Sequence, residues 1–185
     1  DPAVSHLDNN TTDQGVTGIT KVGTWDGGPD TDRAFYQFST SAIAGASVVS
    51  ASMSFHEFWS YSCTPEEVDL YASSNFTSAN TWNSPPATYQ QMGRLSVAKG
   101  YSSSCTAGSA TFTAADPGAD GTTTSMAQTW ATNAADGTPN HQLASVELKS
   151  PNETSDLYWK KFAGNGATFS ITYNSTPSTV AGRET

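Results

Sequence analysis

An all-β fold, two packed sheets with one short helix and one disulfide, is what this sequence predicts. Three observations carry the prediction. Apolar and hydroxyl-bearing residues alternate with a period of two over most of the chain. Clusters of Gly, Pro, Asn and Asp cut that alternation into short runs: Asp26-Gly-Gly-Pro, Asn83-Ser-Pro-Pro, Ala115-Asp-Pro-Gly, Asp136-Gly-Thr-Pro and Gly164-Asn-Gly. The only two cysteines, Cys63 and Cys105, each close an aromatic, hydroxyl-rich run (residues 55–63 and 100–105), which reads as a structural bridge in a chain kept outside the reducing cytosol. A redox or zinc role fits less well, because no Cys-x-x-Cys spacing occurs and Glu66 and Glu67 nearby disfavour a thiolate.

The elements follow in order. Residues 33–38 (Arg-Ala-Phe-Tyr-Gln-Phe) read as the first strand. Residues 47–61 alternate, with Val49, Ala51, Met53 and Phe55 on one face and serines on the other; Trp59 and Tyr61 share the Phe55 face unless a bulge intervenes, and are read as core. Residues 68–72 and 110–113 give two short strands. Only residues 123–134 look helical, with Met126, Thr129, Trp130 and Asn133 at helical spacing and a hydroxyl in place to cap the start. Strands at 143–149, 157–162 and 167–173 complete the set. In residues 157–162 the alternation puts Leu157, Trp159 and Lys161 on a core face and turns Tyr158 and Lys160 outward. Strands at this density, with little helix, make a two-sheet sandwich.

Composition bounds the function. A chain of 185 residues suits one domain, here 1–173, followed by a Ser/Thr/Pro-rich tail over 174–185 that reads as a linker. With Asp1-Pro2 at its start, the sequence reads as an excised piece of a larger secreted protein whose neighbouring domains are its first partners, the domain itself being monomeric. Net charge is −9, with eight Lys and Arg spread thinly, so nucleic acid and anionic membranes are poor partners. No apolar run is long enough for a membrane span, so membrane insertion is not expected.

At this point the residues resemble a known family. The run Arg33-Ala-Phe-Tyr-Gln-Phe-Ser-Thr-Ser-Ala-Ile-Ala-Gly-Ala-Ser-Val-Val-Ser-Ala-Ser-Met is similar to the core of the DNRLRE domain. Further blocks match in order: Trp59-Ser-Tyr-Ser-Cys, Asn80-Thr-Trp-Asn, the Trp130 helix with Asp136-Gly-Thr, Glu153-Thr-Ser-Asp-Leu-Tyr-Trp-Lys-Lys-Phe, and Phe169-Ser-Ile-Thr-Tyr. The resemblance implies a jelly-roll-like sandwich in large secreted bacterial proteins, especially actinobacterial ones. It also implies kinship with carbohydrate-binding modules of family 96, some of which bind acidic polysaccharide.

Candidate functional residues fall into three groups. Catalysis would need paired carboxylates across a cleft, or a nucleophile with its base; His56 beside Glu57 is the one suggestive pair, and neighbours on a strand face opposite ways. The chain is therefore read as a non-enzyme. Asp26, Asp30 and Asp32 flank the Gly-Gly-Pro turn as candidate ligands for a structural calcium ion, the alternative being an acidic turn whose aspartates bond to backbone amides. For a polysaccharide, Trp25 is the tryptophan expected to be exposed, with Tyr158 and Lys160 as outward neighbours, and Lys21 and Arg33 as the cations an acidic ligand would need. The intervening aspartates and the −9 charge favour a neutral glycan. Two readings stand: a non-catalytic carbohydrate-binding module, or a structural or adhesive spacer with no glycan ligand. An accessible aromatic strip separates them.

Overall fold

The computed structural model describes residues 2–9, 18–113 and 122–174. In chain order the strands are β1 (Ala3–Asp8), β2 (Ile19–Thr24), β3 (Thr31–Ser39), β4 (Ser47–Ser60), β5 (Glu66–Ser73), β6 (Thr88–Val97), β7 (Gly108–Phe112), β8 (Leu143–Lys149), β9 (Lys160–Ala163) and β10 (Thr168–Asn174), with helix α1 (Thr123–Ala134) between β7 and β8. Every described pairing is antiparallel.

One sheet runs β1–β3–β8–β5–β6. In the other, β4 is central: β7 lies on one edge, while β10 and then β9 follow along the other, with β2 outside β9. The end of β2 also meets β3 at Gly23 and Thr24, so the two sheets join there. The result is the expected jelly-roll-like sandwich. The Asn174 assigned to the tail is the last residue of β10, and residues 175–185 lie outside the described part.

The core is the inner face of both sheets. Tyr36, Phe38, Leu70, Met92, Val146 and Leu148 face Met53, Phe55, Phe112 and Phe162, closed at one end by Met126 and Trp130 of α1. Phe55 is the hub, with its ring 4.9 Å from Tyr36, 6.0 Å from Phe112 and 6.5 Å from Phe162. Burying each such side chain is worth about 1.5–3 kcal/mol. A smaller cluster, Leu7, Phe35 and Phe76 with Trp82, covers the outside of the first sheet.

Helix α1 begins at a capping box: Thr122 accepts from the Ser125 amide at 3.1 Å, and the Ser125 hydroxyl accepts from the Thr122 amide at 3.0 Å. Its polar side chains also cover a strand edge. Gln128 Oε1 accepts from the Val48 amide at 2.8 Å, and Thr124 Oγ1 from the Ala51 amide at 3.0 Å, which blunts the first half of β4 against pairing with another chain.

Cys63 and Cys105 are bonded, with Cα atoms 5.6 Å apart. The bridge ties the loop after β4 to the tight turn after β6, in which the Gly100 amide donates to the Cys105 carbonyl and the Cys105 amide to Ser102. Gly100 has φ of +83° and lies against the Phe58 carbonyl, where a Cβ would overlap, so only glycine fits. No helix among the described residues is long and apolar enough to cross a membrane.

Candidate functional site

β4 changes face in its last third. Ala51, Met53, Phe55 and Glu57 point inward, but the register against β9 shifts between Glu57 and Trp59, and the next buried residue is Ser60. That bulge puts Trp59 on the outside of the second sheet, half-buried, and leaves Tyr61 38% exposed, so the expectation that both are core is corrected. A parallel correction applies to β9. Residues 156–158 form a 3-10 turn, not strand, so alternation begins only at Lys160 and in the opposite phase. Lys160 is 1% exposed and points inward, donating to the Val97 carbonyl at 2.5 Å and lying 3.6 Å from the fully buried Glu57. Burial pushes Glu57 up and Lys160 down from their ordinary values. An outward, ligand-facing Lys160 is therefore ruled out in this structure, and Lys161 takes the outer position.

These two phase shifts assemble a surface that the alternation hid. Trp59 and Trp159 meet edge to face with ring centroids 4.6 Å apart. Lys161 Nζ lies 4.7 Å from the Trp159 centroid and 5.2 Å from that of Trp59, a cation over two aromatic faces. Lys21 of β2 is the cross-strand partner of Lys161. Like charges directly opposite on paired strands are unfavourable, and neither lysine enters an ion pair among the described residues. The Trp159 Nε1 is buried without a hydrogen-bond partner among the described residues. Gly23, at φ of +93°, lets β2 pass against the Tyr158–Trp159 backbone that sets this surface.

The disulfide turns border the platform. Tyr61 hydrogen-bonds Asp156, which together with the Asp156 charge raises its hydroxyl pKa, and Tyr101 nearby is 54% exposed. Trp25 is exposed, as its place beside the turn suggested, and donates through Nε1 to Asp30 Oδ2 at 2.7 Å. Tyr158 is half-buried in the 3-10 turn.

Arg33 lies on the outside of the other sheet, away from Lys21. Its guanidinium makes two 2.7 Å bonds to Glu153, stacks 4.6 Å from the Trp82 centroid and lies 3.9 Å from Glu147. The hydrogen bond to Glu153 raises its pKa. Nor does the acidic turn gather its carboxylates. Asp26 Oδ1 accepts from the Thr24 hydroxyl and the Asp30 amide, both at 3.0 Å. Asp30 holds Trp25, and Asp32 is buried against His6 at 2.5 Å. Among the described residues, no group of three or more His, Cys, Asp or Glu is arranged to hold a metal.

Trp59, Trp159 and Lys161 are the residues that alternation alone misplaced. The available signal was the chance of a bulge before Cys63, and a Ser-Asp-Leu-Tyr stretch that turns more readily than it extends. The chain matches no family model and no curated protein.

Proposed function

We propose that this domain is a non-catalytic carbohydrate-binding module of a secreted, actinobacterial-type protein, with its glycan lying across Trp59, Trp159 and Lys161. One observation carries the reading: two tryptophans and two lysines that make no ion pair among the described residues share the outer face of a sheet in a chain of net charge −9. Indole faces supply apolar stacking area, and the lysine ammonium groups donate to hydroxyls or carboxylates. The disulfide, compatible with an oxidising compartment, and the ordered blocks that resemble the DNRLRE domain support the same reading.

Affinity electrophoresis in gels containing neutral or acidic polysaccharide tests it, with and without chelator. Wild-type retardation by one class, reduced about tenfold or more in Trp59→Ala and Lys161→Ala, is the expected outcome; that loss corresponds to about 1.4 kcal/mol. Retardation unchanged in both variants would move the site elsewhere. No retardation in any gel would leave the spacer reading in its place.

A further inference from the structure

A second concave surface lies far from the platform. β5 starts beside the disulfide loop at Glu66 and ends at Ser73, a run of roughly 23 Å at the usual strand rise. At the Ser73 end, α1 and the starts of β6 and β8 enclose a groove of about 430 Å³, within the range of small-molecule sites.

Its walls are laid out for a hydroxyl-rich ligand. Tyr89 is 61% exposed, yet its ring is held: the hydroxyl donates to the Ser73 carbonyl at 2.9 Å. An aromatic face held in place and open to solvent is a stacking surface that loses little entropy on binding. Asn133 and Asn140 stand exposed at the rim with side-chain amides, which both donate and accept. His141 bonds through Nδ1 to Asp136 Oδ2 at 2.6 Å, which orients the ring and leaves Nε2 for a ligand. The Ser73 hydroxyl, on a residue 2% exposed, has no hydrogen-bond partner among the described residues. That oxygen is closed to solvent, so the polar contacts open to a sugar are those of Asn133, Asn140 and His141 beside the Tyr89 ring. Among the described residues the groove is lined by no Asp, Glu, Lys or Arg, so the lining favours an uncharged ligand.

We infer that this groove is a second binding site, for a neutral sugar unit at the end or within a polysaccharide chain. It rests on the glycan reading for the class of ligand but not for its location. A domain with two separated sugar sites links two chains, or grips one chain twice.

The test is amide-resolved NMR titration of the whole domain with four neutral hexasaccharides in turn: β-1,4-glucan, β-1,3-glucan, β-1,4-mannan and β-1,4-xylan. Expected is a sugar that shifts the amides of Asn75, Tyr89 and Asn133 saturably, with affinity about tenfold weaker in Asn133→Ala and unchanged in Trp59→Ala. Asn133 is exposed on the helix, so its truncation leaves the fold intact, whereas Tyr89→Ala would also remove a bond to the Ser73 backbone. The inference is overturned if no hexasaccharide shifts these amides, or if Asn133→Ala binds as wild type does. Shifts confined to the surroundings of Trp59 and Lys161 would overturn the groove and leave the platform standing. Groove shifts, with a platform silent to neutral and acidic glycans alike, would do the reverse.

Discussion

Glu147 should govern much of the pH dependence of stability. It is 3% exposed on β8, between Phe35 and Tyr71 in cross-strand register. Burial pushes its carboxyl from an ordinary 4.5 up to about 7, the charges of Arg33 and Lys149 pulling it back only in part. The folded chain therefore binds this proton more tightly than the unfolded chain does. Between those two values the folded state holds more protons, so its stability falls as pH rises. The contribution is whole below about pH 4.5 and is lost as pH passes through about 7. A displacement of roughly 2.5 pH units, at about 1.36 kcal/mol each, sets an upper bound of about 3–4 kcal/mol. Asp69, raised by burial to about 6, adds a loss of the same sign over a slightly more acidic window. Glu147→Gln is neutral at every pH and leaves Arg33 its two bonds to Glu153. Urea unfolding from pH 4.5 to 8 should show wild type losing stability with rising pH, with a clearly shallower loss in the variant. Parallel curves for the two proteins would refute the argument that burial has shifted this carboxyl.

Three further outcomes are expected. Converting both Cys63 and Cys105 to serine should cost about 4 kcal/mol in the chain-entropy model, given the separation of 42 residues; a loss below about 1 kcal/mol by urea titration would show that the loop is already constrained in the unfolded chain. Lys160→Met should destabilise by about 3–5 kcal/mol by stranding Glu57, whereas Lys160→Met combined with Glu57→Leu should regain most of it; a double variant as unstable as the sum of the singles would contradict this. Chelator should leave the melting temperature unchanged, because Asp26, Asp30 and Asp32 each have protein partners and do not converge; a drop of several degrees that added calcium reverses would revive a metal at that turn.

Legibility in the sequence followed the physics of each element. The helix was read with its observed limits, because its cap, its apolar spacing and its lack of a breaker all agree. β3 and the middle of β4 from Ala51 to Phe55, whose two faces differ, are also legible, and β8 is legible although both its faces are buried. The start of β4 corrects the alternation: Val49, expected on the Ala51 face, is exposed and Val48 packs in its place, opposite a register shift in β10. β1, β2 and β6 are not legible in the sequence pattern. β1 is buried on both faces from Val4 to Asp8, so it shows no alternation. β6 meets β5 through two register shifts that break any period. The exposure of Trp25 is legible because a turn beside Gly-Gly leaves little to cover it. Alternation puts Lys160 on the wrong side because a 3-10 turn cannot be told from the start of a strand by periodicity alone. For Arg33, no local pattern announces a partner as distant in sequence as Glu153.

The bulge in β4 connects fold to function. A strand with strict alternation would send Trp59 inward beside Phe55, where the ring of Phe162 already lies 6.5 Å from that of Phe55, and a second large indole would overpack the core. The register shift lets one strand serve both purposes: Met53 and Phe55 fill the sandwich, and Trp59 surfaces against Trp159. Two devices hold the shift in place. Gly100 presses its backbone onto Phe58 and Trp59, and the Cys63–Cys105 bond anchors the turn that carries Gly100. Gly100→Ala should therefore disturb the platform more than the core. Its expected signature is loss of the near-ultraviolet signal of the coupled indoles, and loss of glycan retardation if the platform binds, while far-ultraviolet strand content persists. Equal loss of both signals would mean that the bulge supports the whole sandwich and not the aromatic surface alone.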